Sequence, residues 1–168
     1  MGRGDVGIGG STVEGFLDSV GARTPTPASG TGAAATGAIA AARAELVARF
    51  GGDEPATAEA ELLRARLLRL ADEDAEAYAA FMATRSEADR DRTIDVPVAI
   101  AEAAASVRDL AASLAERANA SLTGDAEAAV ELAGAAARVG ARLVELNLRG
   151  AEDRRLDRAR AAATIAHH

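Results

Sequence analysis

Leu63-Arg64-Ala65-Arg66-Leu67-Leu68-Arg69-Leu70-Ala71-Asp72-Glu73-Asp74-Ala75-Glu76-Ala77-Tyr78-Ala79-Ala80-Phe81 decides the fold class. Its larger apolar residues recur every three or four positions, so Leu63, Leu67, Leu70, Ala77, Tyr78 and Phe81 share one face of a helix. Asp74 interrupts that stripe. It lies four residues after Leu70, four before Tyr78 and seven before Phe81, whereas Asp72 and Glu73 point elsewhere and can be solvated. A carboxylate among apolar neighbours is expensive unless paired or protonated. Asp74 is therefore expected either to meet an arginine or to face a functional cavity.

Working outward, the helix begins after Asp53, a side-chain cap with Pro55 in the first turn, and runs to about Glu87. Ahead of it, residues 31–50 predict a helix that is nearly apolar all round, with Ile39 the one large residue in its first half and Gly51-Gly52 as the stop. Such a helix belongs in a central, close-packed position. Before that, Ser11 and Glu14 form a capping box for a short helix carrying Val13, Phe16, Leu17 and Val20. A turn, Thr24-Pro25-Thr26-Pro27-Ala28-Ser29-Gly30-Thr31, joins the two. Its end feeds a helix N-terminus, a place that attracts anions.

Downstream, Asp95 is expected to cap a fourth helix, with Val96 and Pro97 in its first turn and Ile100, Ala103, Val107, Leu110, Ala111 and Leu114 inside. It ends near Asn119. Asp125 is a good cap for a fifth helix, whose small face (Ala133, Ala137, Gly140, Val144, Asn147) lets a neighbour approach closely. A weakly amphipathic segment from Ala151 completes the chain. No strand pattern or internal repeat is present, so the fold class is all-α, a bundle of about five to six helices. Residues 1–10 read as a flexible glycine-rich lead, 11–165 as one helical domain and 166–168 as terminal residues.

The 168 residues are 49% hydrophobic and 27% charged, an ordinary globular balance, but only 2% aromatic. Alanine fills much of the apolar fraction, and a buried alanine removes little surface from water. A partner copy would add the missing area, so a homodimer is expected. The net charge is −7 with no lysine, and no basic stripe is interleaved with aromatics, which argues against nucleic acid. Cysteine is absent, excluding thiol chemistry and thiolate metal sites. No apolar run is long enough for a membrane span, and the expected location is the cytoplasm. The two histidines, His167 and His168, end the chain, so no metal site is expected and acid–base chemistry falls to Asp, Glu or the single Tyr78. Gly2-Arg3-Gly4-Asp5-Val6-Gly7 matches a dinucleotide spacing without the strand it needs, and Arg3-Gly4-Asp5 is read as no adhesion signal. Gly32-Ala33-Ala34-Ala35-Thr36-Gly37 lacks the lysine of a phosphate loop.

Several segments in order resemble the cyclodeaminase/cyclohydrolase family, the all-helical domain of formiminotransferase-cyclodeaminase and the stand-alone methenyltetrahydrofolate cyclohydrolases. They are Phe16-Leu17, Thr24-Pro25-Thr26-Pro27 with the small-residue helix, and Leu70 to Tyr78. Val96 to Glu102, Asn119 with Asp125-Ala126, and Leu146-Asn147-Leu148 follow. The resemblance implies a dimeric helical bundle and one-carbon chemistry on a tetrahydrofolate derivative, which is a substrate and not a tightly bound cofactor. Carried over by position, Asp74 is the catalytic acid, and Pro27, Ser29, Gly30, Thr31, Tyr78, Asn119, Asp125 and Asn147 are substrate-binding. Where the family reads Pro-Gly-Gly-Gly-Ser, this chain reads Pro27-Ala28-Ser29-Gly30-Thr31, and Gly51-Gly52-Asp53-Glu54-Pro55 stands in place of a Lys-rich segment. The alternatives are a diverged member that takes another small molecule and a non-catalytic helical dimer.

Overall fold

The computed structural model describes residues 7–164. The Gly2–Val6 part of the glycine pattern, Arg3-Gly4-Asp5, His167 and His168 lie outside the described residues. One short turn and six helices follow in order: a 3-10 turn Ile8–Gly10, α1 Val13–Gly21, α2 Ser29–Phe50, α3 Glu54–Thr84, α4 Glu87–Ala115, α5 Thr123–Leu148 and α6 Arg154–Ala163. No strand occurs among the described residues.

Helices α2 to α5 form an up-down-up-down bundle. Gly37 of α2 lies against Leu67 of α3 and Ala136 of α5, while Arg49 pairs with Glu61 and Arg43 with Asp125. Chain numbers rise on α2 as they fall on both neighbours, so each is antiparallel to it. Alanines let the diagonal pair α2 and α4 meet as well. Ala33, Ala34, Ala38, Ala40 and Ala41 share one core with Leu67, Leu70, Ile100, Val107 and Ala133. A fully buried leucine such as Leu67 contributes about 1.5–3 kcal/mol and each alanine much less, so the core depends on close approach. At Gly140 of α5 an added Cβ would lie 3.0 Å from the backbone of Pro97 and Ala101 on α4. Of the expected small face of α5, Ala133, Ala137, Gly140 and Val144 are buried and Asn147 is half-buried; of the predicted stripe of α4, Ile100, Ala103, Val107, Ala111 and Leu114 are buried and Leu110 is half-buried. Helix α6 runs parallel to α4, tied by Arg155 to Asp91 and Asp95, by Arg158 to Glu102 and by the Arg108 side chain to the Ala162 carbonyl.

Several boundaries differ from the sequence expectation. Thr12, not Ser11, caps α1 by accepting from Gly15 N, while the Ser11 hydroxyl donates to the Ile8 carbonyl. The expected flexible lead is folded from Ile8, because Asp72 accepts the Ile8 N–H at 2.8 Å. Helix α3 stops at Thr84, where Arg85 turns left-handed (φ 57°), and Ser86 caps α4 by accepting from Asp89 N. Asp95 is therefore no cap: α4 is already two turns long there, and Pro97 sits inside it. Helix α4 ends at Ala115, before Asn119, and α5 opens at Thr123, so Asp125 lies in its first turn. Asp53 does cap α3, accepting from Ala56 N at 3.0 Å. Tyr78, placed on the buried stripe, is 36% exposed, and α1 buries none of its residues.

Candidate functional site

Asp74 projects from α3 to the first turn of α2. Its Oδ2 accepts the Thr31 backbone N–H at 2.7 Å and is 3.0 Å from the Thr31 hydroxyl. Ala28, the residue before α2, has no side chain able to cap, so a neighbouring helix supplies the cap instead. Helix α2 consequently begins at Ser29, two residues before the sequence suggested. The anion-attracting N-terminus expected there is already occupied by the protein's own carboxylate.

Gly30 makes this approach physically feasible. A Cβ on Gly30 would lie 2.1 Å from Asp74 Oδ1 and 2.4 Å from its carboxyl carbon, well inside van der Waals contact. By contrast Ala28 is extended (φ −108°) and Ser29 is helical, conformations open to any residue. The two glycines that the family pattern has and this chain lacks are thus dispensable to the backbone, and the one that the carboxylate needs is kept.

No arginine pairs with Asp74 among the described residues. Burial pushes its carboxyl above the usual carboxylate range, and the two Thr31 donors offset only part of that rise. Both donors act on Oδ2. Oδ1 takes no protein hydrogen bond among the described residues, which leaves one oxygen for chemistry.

Beside Asp74 opens a cleft of about 600 Å³, lined by the 3-10 turn, α1, the Thr26-Pro27 bend and one face of α3. That volume suits a small organic ligand. Asp74 itself is outside the lining, but its chain neighbour Ala75 and Pro27, three residues before Gly30, are within. Phe16 and Ser19 supply the α1 wall, and Asp72 and Glu76 supply carboxylates. Asp72, Glu76 and Phe16 were missed as site residues. The four-residue spacing of Asp72 and Glu76 on α3 marks one helical face and was the available signal.

The other predicted site residues separate from this cluster. Ser29 is exposed at the first position of α2, and Tyr78 makes no side-chain hydrogen bond among the described residues. Asn119 lies at the far end of the bundle, in a depression of about 320 Å³ with Val47, Gly51 and Arg117, where its Oδ1 accepts from Ser121. Asp125 is paired with Arg43 at 2.8 Å. Sixteen residues of α2 separate Thr31 from Val47, roughly 24 Å of helix. Asn147 donates its side-chain amide to the Thr93 carbonyl at 2.7 Å. Pro97 has no N–H for that carbonyl, four residues before it, so Asn147 fills a place left open in α4. Among the described residues no cluster of three potential metal ligands exists, and no helix is long and apolar enough to cross a membrane.

Comparison with known proteins agrees with this architecture. The chain is 31% identical to methenyltetrahydrofolate cyclohydrolase of Methylorubrum extorquens, over 87% of this chain and 83% of that protein. The crystal structure of formiminotetrahydrofolate cyclodeaminase from Thermotoga maritima superposes with a TM-score of 0.81 at 26% identity, covering 91% of this chain and 90% of that one. Residues 12–164 match the family described as formiminotransferase-cyclodeaminase, and the chain belongs to that family.

Proposed function

We propose that this protein is a folate one-carbon enzyme that opens or closes the N5,N10-methenyl bridge of tetrahydrofolate. The observation that carries the reading is Asp74: an acid with a raised pKa, fixed by Thr31 at Oδ2, with no protein hydrogen bond on Oδ1 among the described residues, and adjacent in the chain to Ala75 in the wall of a cleft of ligand size. Two relatives bear the names of the two reactions on this bridge. The folate derivative is substrate, and no further cofactor is invoked. Such a role goes with the cytoplasmic location expected from the sequence.

The methenyl bridge is an amidinium cation. Asp72 and Glu76, which line the cleft, draw it in, and Asp74, one residue from the lining at Ala75, serves as the base through Oδ1. In hydrolysis, Asp74 takes a proton from water as the water oxygen bonds to the bridging carbon. The C–N5 bond then breaks, N5 receives a proton and the formyl group remains on N10. In the deaminating direction, N10 adds to the formimino carbon, the amino nitrogen is protonated and ammonia leaves as the cation forms. Both sequences need a group that loses and regains a proton, and burial raises the Asp74 carboxyl above the usual carboxylate range in the direction that role requires.

The active form is a homodimer. The outward face of α2 carries Gly32, Thr36, Ile39, Leu46 and Phe50, with Ile39 58% and Phe50 73% exposed, and small residues between them permit close approach. Two copies with α2 antiparallel across a two-fold axis would set the Thr31 end of one against the Val47 end of the other. Asp74 would then meet the cluster of Asn119 and Asp125 from the second copy, joining residues that a single chain holds apart.

The test follows methenyl absorbance, and ammonia release from the formimino compound, with wild type and Asp74→Asn. The wild type should turn over one of the two. The variant should be slower by about 10²- to 10⁴-fold, the usual range for a lost general acid–base group. Equal rates would remove Asp74 from the mechanism, and calorimetry showing no binding of any reduced folate would favour a different small molecule.

A further inference from the structure

The Thr31 side chain has one hydroxyl hydrogen and two acceptors within reach. Its Oγ1 lies 3.0 Å from Asp74 Oδ2 and 3.3 Å from the Ala71 carbonyl oxygen, and Thr31 is fully buried. Ala71 and Asp74 sit one turn apart on α3, so both acceptors belong to the same rigid element. The Thr31 backbone N–H is fixed on Oδ2 by the start of α2 and cannot follow a change in charge. The hydroxyl can, by rotating about one bond.

We propose that Thr31 is a positioning residue whose hydroxyl hydrogen alternates between Asp74 Oδ2 and the Ala71 carbonyl as Asp74 releases and takes up a proton. While Asp74 is ionised, the hydroxyl donates to Oδ2. When Oδ1 takes up the proton, Oδ2 becomes a neutral carbonyl oxygen, a weaker acceptor that keeps the Thr31 N–H, and the hydroxyl turns to the Ala71 carbonyl. In both states the buried hydroxyl hydrogen and the Thr31 N–H each have an acceptor, so neither state bears the penalty of an unsatisfied donor. Thr31 thereby lets one carboxyl serve as base and then as acid without movement of α2 or α3.

The surroundings leave this task to Thr31. Helix α2 has no ionisable side chain before Arg43, and the 3-10 turn has none. On α3, Asp72 is engaged by the Ile8 N–H, and Glu73 and Glu76 are exposed. The α4 and α5 side chains in the adjoining core, among them Val96, Ile100 and Ala133, are apolar.

The proposal rests on the folate reading for its place in a reaction, but not for the behaviour of the carboxyl itself. Thr31→Val removes the hydroxyl at constant shape, and Thr31→Ser restores it. With methenyltetrahydrofolate, Thr31→Val should lower kcat about tenfold while KM stays within about twofold, and Thr31→Ser should recover most of kcat. Carbon-13 NMR of the Asp74 carboxyl, read without substrate, should show its titration midpoint higher in Thr31→Val and near wild type in Thr31→Ser. Unchanged kcat and midpoint in Thr31→Val would overturn the proposal, as would a raised KM at constant kcat, which would make Thr31 a substrate contact. Should Thr31→Val fail to fold, Thr31→Ala is read in the same way, with helical circular dichroism confirming the bundle. An absence of folate turnover in the wild type, with the midpoint shift present, would sink the folate reading alone.

Discussion

The Asn147 side-chain nitrogen stands 2.7 Å from the Thr93 carbonyl oxygen, the acceptor that Pro97 has no N–H to serve. A proline inside a helix removes that bond and crowds the carbonyl four residues earlier. Here a residue from α5 closes the gap, and in doing so ties α5 to α4 beside Gly140. Asn147→Leu should destabilise the protein by about 0.5–1.5 kcal/mol, the range for losing one hydrogen bond, here at a part-buried carbonyl. Pro97→Ala restores the missing N–H, so Asn147→Leu should do less harm in that background. Urea unfolding of the four proteins in the cycle measures the coupling, and equal losses in both backgrounds would refute the relationship.

Gly30 and Asp74 are coupled by space. Gly30→Ala should push the carboxylate off the α2 N-terminus, lowering stability and abolishing turnover. Adding Asp74→Ala to Gly30→Ala removes the clash, so thermal stability should partly return while activity does not. A Gly30→Ala variant with wild-type activity would show that the carboxylate tolerates displacement.

The sign of the Asp74 effect on stability follows from its raised pKa. The folded state holds the proton more tightly than the unfolded chain, so ionised Asp74 opposes folding above the raised value. That opposition fades as pH falls through the folded pKa and is gone below the ordinary carboxylate value, about 4. Asp74→Asn cannot ionise and still presents an oxygen to Thr31. Its Tm relative to wild type should therefore be higher at neutral pH than near pH 4 on this roughly one-group account. A gap that widens on acidification would contradict it.

The outward face of α2 gives a prediction about assembly. Ile39→Asp places a charge on the apolar strip without disturbing the core of a single copy, since Ile39 is exposed there. Sedimentation should then show monomers with unchanged helical circular dichroism and reduced turnover. Dimers that persist would move the interface elsewhere.

Much of the helical architecture was legible because local chemistry states it. Asp53 and Pro55 open α3, Gly51-Gly52 end α2, and the leucine spacing from Leu63 to Leu70 sets the buried face. The α4 start was misread because Pro97 is a strong local signal for a first turn. The helix instead opens after Ser86, whose side chain caps it, and Asn147, fifty residues from Pro97, serves the carbonyl that the proline leaves open. Distance in sequence likewise explains Asp125, whose partner Arg43 lies on another helix.

Asp74 shows the division most clearly. That an acid stands on an apolar helix face is readable from the residue order, because a 3.6-residue period leaves it no other direction. Packing alone reveals that, among the described residues, its partner is the first turn of α2 and not an arginine. That pairing requires two antiparallel helices to meet at one level, with Gly30 empty of side chain and Thr31 aligned. Such a meeting depends on packing distances between segments forty residues apart, and the periodicity of either segment alone carries no record of it.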